Sequence, residues 1–257
     1  MGEKVFMQGN AALAESAIRA GCRFFFGYPI TPSSEMPEYY AAQAPKRDLV
    51  FVQAETEVAA FNMIAGAAAA GKRAMTGTAG PGFSLGQEAM SYMAAAGLPA
   101  VVVNVMRPGP ADGEILASQG DYFQAVKGGG HGDYNVICLA PYSVQEQADM
   151  IQEAFELAEQ YLNPVIVLTD ATLAKMRESV ELPGEVTPKD ISFPGAVTGA
   201  KNREHNVITT CGDGPAQWEA FNQNLQNKFA KIRENEQRWE SIETEDAEPV
   251  SYTHLTL

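Results

Sequence analysis

From residue 10 to residue 169 short apolar runs alternate with amphipathic or alanine-rich stretches, and no other feature restricts the fold of this chain as much. The spacing predicts a helix over residues 10–21, with Asn10 as its N-cap, Leu13, Ala14, Ala17 and Ile18 on one face and Gly21 as its stop. Strands are expected at 23–27, 49–53, 72–77, 100–106, 135–139 and 164–169, with helices at 57–70, 83–96 and 143–161. Strands separated by helices pair in parallel, because each crossover returns the chain to the same end of the sheet. The expected fold class is therefore α/β, a doubly wound parallel sheet occupying residues 1–178.

The pattern changes after residue 169. Residues 178–203 are rich in proline, glycine and charge and hold no sustained period, so residues 179–212 read as an irregular linker. Beyond it Trp218, Phe221, Leu225, Phe229, Ile232, Trp239 and Ile242 recur at spacings of three, four and seven. They mark a long amphipathic helix within residues 213–248 whose apolar stripe needs a cover. A stripe of this kind is a packing feature and carries no catalytic role.

Charge and cysteine usage narrow the function. With 32 acidic and 18 basic residues the net charge is −14, which repels phosphate backbones and anionic bilayers, so no nucleic acid and no membrane surface is expected as a partner. Cys22, Cys138 and Cys211 are far apart and form no C-x-x-C pair. Neither a disulfide framework nor a zinc or iron–sulfur site follows from them, no metal-ligating set is expected, and a reducing cytoplasm is implied. The N-terminus lacks a basic-then-apolar signal pattern, and the most apolar stretch, residues 99–106, is too short to span a bilayer.

In an open parallel sheet, ligands bind beyond the carboxyl ends of the strands, which draws attention to four junctions. Thr31 lies in Tyr28-Pro29-Ile30-Thr31-Pro32-Ser33-Ser34, where prolines restrict the backbone on both sides and would hold its hydroxyl in place. The plain alternative is a helix start capped by Thr31 or Ser33. Glu57 opens the helix after the second strand. An acid there is favoured by the helix dipole alone, yet burial disfavours its charged form and would let it share a proton with a bound heterocycle. Glu55 competes with it on spacing.

Thr78-Ala79-Gly80-Pro81-Gly82 is a glycine-rich turn after the third strand that lets backbone amides approach a ligand, although it completes neither a Walker loop nor G-x-G-x-x-G. Arg107 follows the fourth strand, where a guanidinium could grip a substrate carboxylate or form a salt bridge. His131, in Lys127-Gly128-Gly129-Gly130-His131-Gly132-Asp133, reads as a solvated loop histidine rather than an acid or base. Gly212-Asp213-Gly214 with Asn235 imitates the magnesium–diphosphate pattern of thiamine enzymes, but Asn235 falls inside the striped helix and the match reads as accidental.

Taken in order, Tyr28 to Ser34, Glu55-Thr56-Glu57-Val58-Ala59-Ala60, Thr78-Ala79-Gly80-Pro81-Gly82-Phe83-Ser84, Gln119-Gly120-Asp121-Tyr122 and the 127–133 loop resemble the alpha subunit of the thiamine-diphosphate-dependent 2-oxoacid:ferredoxin oxidoreductases, over residues 5–248. The resemblance is strongest to the type acting on 3-methyl-2-oxobutanoate, with the 2-oxoglutarate type next. It implies a thiamine-diphosphate-binding fold in which this chain supplies the pyrimidine-binding domain. Glu57 would contact the aminopyrimidine ring nitrogen, with Thr78, Gly80 and Gly82 around the cofactor, and Thr31 and Arg107 would contact the 2-oxoacid. A beta subunit would hold the diphosphate and magnesium, and gamma and ferredoxin-like delta subunits would complete the complex. Iron–sulfur clusters on a partner would pass electrons to ferredoxin while the acyl group goes to coenzyme A.

The resemblance also implies a second α/β domain after residue 248. Residues 249–257 do not resemble its first strand and read as an atypical tail of a truncated or mis-read end. Two other readings remain open at this point. One is a self-contained α/β nucleotide-binding protein using the 78–82 turn, and the other is a non-catalytic interaction module of a complex.

Overall fold

The structure, a computed structural model, describes residues 3–239 and Glu248. It divides into two compact units between Cys211 and Gly212. The first opens with β1 (Glu3–Gln8) and α1 (Gly9–Arg19), then β2 (Phe24–Gly27), α2 (Glu35–Gln43), β3 (Val50–Gln53) and α3 (Glu57–Ala69). It continues through β4 (Ala74–Thr78), α4 (Gly80–Leu85), α5 (Gln87–Ala96), β5 (Val101–Met106), α6 (Tyr122–Lys127) and β6 (Ile137–Leu139). It closes with α7 (Val144–Tyr161), β7 (Val165–Asp170), α8 (Ala171–Lys175) and β8 (Arg177–Leu182).

Six strands form the expected parallel sheet in the order β3-β2-β4-β5-β7-β6. Val101, Val102, Val103 and Val105 of β5 are wholly buried, as in a strand covered on both faces. Alternation along β5 sends Val102 and Met106 into a cluster with Phe61 and Ile64 of α3, Phe83 of α4, and Met90 and Met93 of α5. The residues between them turn to the opposite face, where α7 and α8 pack on β5. From β2 the chain runs outward to β3, then crosses back to β4 and proceeds the other way. That reversal makes the ends of β2 and β4 a topological switch point, the place where open α/β sheets bind their ligands.

Several expectations need correction. Residues 179–182, expected to begin an irregular linker, belong to β8, which pairs antiparallel with β1 from Glu3↔Leu182 to Gln8↔Arg177. Val180 and Leu182 bury themselves with Ala12, Val144 and Ala148, so this small sheet is a lid on α1 and α7. The helix expected over 83–96 is two helices, α4 and α5, which meet at Gly86 where the Phe61 ring lies against the backbone.

Asn10 is not an N-cap. Gln8 holds that position, and Asn10, 1% exposed, donates from Nδ2 to the Pro32 carbonyl at 2.8 Å and to Glu35 Oε2 at 2.7 Å. Neither Thr31 nor Ser33 caps α2; its N-cap is Ser34, without a side-chain bond, and Ser33 Oγ donates to the Ile30 carbonyl at 2.8 Å.

The second unit contains α9 (Pro215–Glu236), with Trp218 stacked on Phe221 at 4.9 Å between centroids. Trp239 lies beyond the end of α9, which shortens the expected stripe, and Ile242 lies outside the described residues. No described helix is long and apolar enough to cross a membrane.

Candidate functional site

Because β2, β3, β4 and β5 are parallel neighbours, their carboxyl ends share one edge of the sheet, and each supplies one of the four junctions. Thr31 follows β2, Glu57 opens α3 after β3, the 78–82 turn leaves β4, and Arg107 leaves β5.

The competition between Glu55 and Glu57 is decided by burial. Glu55 is exposed, whereas Glu57 is 7% exposed. Thr56 caps α3, its Oγ1 accepting from the Ala59 amide at 3.1 Å, and this cap turns the next side chain inward. The rest of α3 is less enclosed than the alanine-rich sequence suggests, since Val58, Asn62 and Gly66 form an exposed face. Among the described residues the Glu57 carboxylate meets no hydrogen-bond or ion-pair partner. It lies instead against the 78–82 turn, where a Cβ added to Gly82 would stand 2.6 Å from Glu57 Oε1 and 2.4 Å from Thr78 Oγ1. Only glycine permits this approach. Thr78 is 1% exposed, and its hydroxyl has no hydrogen-bond partner among the described residues. A buried carboxyl group and a buried hydroxyl thus meet with hydrogen-bonding capacity unspent.

Arg107 lies across the same turn. Its Nη1 donates to the Thr31 carbonyl at 2.9 Å, and its stem passes over Gly80, whose φ of +32° suits glycine alone. The buried Nε has no acceptor, and Arg107 makes no ion pair within 4 Å among the described residues, so the plain salt-bridge alternative is not what is found. Thr31 itself is exposed and meets Arg107 through its backbone rather than its hydroxyl.

Two further residues belong here that the strand-end reasoning passed over. Asn104, opposite Thr78 in the β4–β5 register, is wholly buried; its Nδ2 donates to Asp121 Oδ2 at 3.2 Å and its Oδ1 is unpaired. Burial pushes the Asp121 carboxyl up from its ordinary value, against the Asn104 bond, the backbone N–H groups of Gly80 and Arg107, and the Arg107 charge, all of which favour its ionised form. Two signals were available in the sequence: for Asn104 a polar residue inside the otherwise apolar run Val101 to Val105, and for Asp121 its place in the Gln119-Gly120-Asp121-Tyr122 motif.

His131 stays on the surface of its loop. The loop is held by Tyr134, whose hydroxyl accepts from the Gly129 and Gly130 amides at 3.2 and 3.0 Å, and by Gln87 Oε1, which accepts from the Gly129 amide at 3.1 Å. Asp213 precedes α9 and Asn235 lies near its far end, about 30 Å along the axis at ~1.5 Å per residue, so they share no site.

Residues 15–244 match the family model described as pyruvate flavodoxin/ferredoxin oxidoreductase, thiamine diphosphate-binding. The chain belongs to this oxidoreductase family. Among relatives, the ketoisovalerate oxidoreductase subunit VorB of Methanothermobacter thermautotrophicus is 50% identical over 244 residues, which cover 95% of this chain and 69% of the relative. The 2-oxoglutarate synthase subunit KorA of the same organism is 50% identical over 187 residues, covering 72% and 50%.

A solved 2-oxoglutarate:ferredoxin oxidoreductase from Magnetococcus marinus, with 2-oxoglutarate, coenzyme A and succinyl-CoA bound, superposes with a TM-score of 0.83 at 31% identity. The match covers 92% of this chain and 46% of that one. The chain spans about two thirds of the VorB relative and about half of the KorA relative and of the solved chain. The family expected from the sequence motifs is the family found, and both the ketoisovalerate and the 2-oxoglutarate types occur among its relatives.

Proposed function

We propose that this oxidoreductase-family chain is the alpha-type component of a 2-oxoacid:ferredoxin oxidoreductase, holding the pyrimidine end of thiamine diphosphate and the carboxylate of the 2-oxoacid. The observation that carries this reading is that Glu57 and Thr78 both lie against Gly82, a buried carboxyl group and a buried hydroxyl with no partner among the described residues. They fit the nitrogen-bearing edge of a heterocycle, which offers a donor and an acceptor to such a pair. Thiamine diphosphate, when bound, supplies the nucleophilic carbon and the electron sink that decarboxylation requires.

With the cofactor bound, Glu57 would be the residue that exchanges a proton with the ring nitrogen through its Oε atom, and its burial would exclude water there. Thr78, Gly80 and Gly82 shape the turn on which the ring rests. Arg107 receives the substrate carboxylate, with Thr31 beside it. On a chain of net charge −14 an anionic substrate needs such a local cation.

Given the VorB and KorA relatives, 3-methyl-2-oxobutanoate is the favoured substrate and 2-oxoglutarate the next. Within this reading residues 1–178 are the pyrimidine-binding domain, and the helix within 213–248 leads to a second α/β domain. A beta subunit supplies the diphosphate and magnesium site. Gamma and ferredoxin-like delta subunits complete the complex, and the delta subunit carries the iron–sulfur clusters that this chain's separated cysteines cannot hold. Ferredoxin accepts the electrons, coenzyme A accepts the acyl group, and the complex works in the cytoplasm.

The test is the complex reconstituted with partner subunits and carrying Glu57→Gln. Loss of about two to four orders of magnitude in decarboxylation rate is expected for removal of a proton-transfer group. An unchanged rate overturns the assignment.

A further inference from the structure

Asp121 occupies the N-cap position of α6 yet makes no capping bond to that helix, although aspartate at this position ordinarily accepts from the first-turn amides. Its carboxylate is turned instead toward the strand ends, where it accepts from Asn104 Nδ2 at 3.2 Å. Gly120, immediately before it, lies beside the Arg107 turn, where an added Cβ would stand 3.7 Å from the Arg107 carbonyl oxygen. Asn104 itself sits three residues before Arg107 and opposite Thr78, which is two residues before Gly80. One side chain thus faces the two turns that carry the proposed cofactor and substrate contacts. Among the described residues the Arg107 side chain makes one hydrogen bond, from Nη1 to the Thr31 carbonyl, and its buried Nε has no acceptor.

From this arrangement we infer that Asp121 is a positioning residue, which with Asn104 clasps the Gly80 and Arg107 turns together and so sets the affinity of the site for the carboxylate of the 2-oxoacid. The inference rests on the proposed substrate role of Arg107. Asp121 acts through Arg107 and does not touch the substrate. Asn104 supplies the link to the sheet, because its backbone is fixed in the β4–β5 ladder opposite Thr78. Removing the Asp121 charge frees the Arg107 turn to drift, and a guanidinium displaced from its place binds a carboxylate less well.

The experiment uses the complex with its partner subunits and 3-methyl-2-oxobutanoate as the probe. Asp121→Asn is expected to raise KM roughly fivefold or more, with kcat within about twofold and the melting midpoint unmoved. In an Arg107→Met background the same change is expected to add nothing, because the two residues act on one contact. An unchanged KM, or effects of the two substitutions that multiply, overturns the inference. So does a fall in kcat and melting midpoint at constant KM, which is the signature of a purely structural role.

Should the Asp121→Asn complex fail to assemble, Asn104→Leu decides. A similar rise in KM supports the clasp, and a wild-type KM overturns it. Full activity of the Glu57→Gln complex, or a wild-type KM for Arg107→Met alone, would instead refute the functional reading on which the inference stands.

Discussion

Arg107 Nη1 donates to the backbone carbonyl of Thr31 over 2.9 Å, tying the end of β5 to the loop after β2 across the intervening β4. This bond uses one of the four Nη donors and leaves the other three without a partner among the described residues, free for the proposed carboxylate. Arg107→Met removes the charge and keeps much of the stem. In the assembled complex it is expected to cost about 1.5–3 kcal/mol of binding, roughly ten- to a hundredfold in kcat/KM, with most of the change in KM. Steady-state kinetics over a range of 2-oxoacid concentrations measure it, and a change confined to thermal stability would show that Arg107 only holds the loop.

Gly82→Ala sets two effects against each other. Alanine favours a helix by about 1 kcal/mol over glycine, so α4 alone would gain. The added Cβ, however, would stand 2.4 Å from Thr78 Oγ1 and 2.6 Å from Glu57 Oε1, closer than van der Waals contact allows, so the Glu57 side chain must move. The site is expected to lose: thiamine diphosphate binding weakens and turnover falls about a hundredfold, the scale on which an ångström of misplacement acts. Cofactor titration of the complex checks this, and wild-type affinity would show that the close approach of Glu57 to the turn has no part in holding the ring.

Thr78→Val separates stability from function. The Thr78 hydroxyl is buried without a partner, and a methyl group of similar shape removes that cost, so the chain is expected to gain about 1 kcal/mol in unfolding free energy. The same substitution removes the hydroxyl proposed to bond the cofactor and is expected to weaken cofactor binding. Denaturation and cofactor titration must move in opposite directions; if both weaken, the hydroxyl has a structural partner.

The strands were legible because β-branched runs such as Val101 to Val105 and the helices between them carry their periods locally, and the strand ends then pointed to Thr31, Glu57, the 78–82 turn and Arg107. What escaped depends on partners remote in sequence. β8 was read as linker because its pairing partner, β1, lies at the opposite end of the first unit. Asn10 was read as a cap because its true partners, Pro32 and Glu35, belong to another loop. Asp121 is visible in the sequence only as part of the Gln119 to Tyr122 motif, with no role attached, because the partner of its carboxylate, Asn104, lies on a separate strand. Spacing alone does not separate Glu57 from Glu55; the family resemblance names Glu57, and the fold adds that Glu57 is buried while Glu55 is exposed.

Glu15 tests how the scaffold beneath the site responds to acid. On α1, 3% exposed, its Oε1 accepts from Arg19 Nε at 2.7 Å and Arg47 Nη2 at 3.0 Å, and its Oε2 accepts from Arg47 Nη1 at 2.8 Å and the Tyr39 hydroxyl at 3.0 Å. Burial is the largest single influence and raises the carboxyl pKa. The hydrogen bonds from Arg47, Arg19 and Tyr39 and the Arg47 charge together outweigh it, leaving the group below its ordinary 4.5.

The folded state therefore binds fewer protons than the unfolded chain in the window below 4.5, and stability rises with pH there. The contribution is complete above the unfolded value and disappears as pH falls through the lower, folded one. Arg19 and Arg47 keep 20% and 29% of their side-chain surface in water, which discounts the gain. Glu15→Gln is expected to cost about 1–3 kcal/mol at neutral pH. The difference from wild type should hold constant down to about pH 5 and then shrink with further acidification. Urea denaturation at a series of pH values measures it, and a difference that widened in acid would mean that Glu15 is held as the neutral acid.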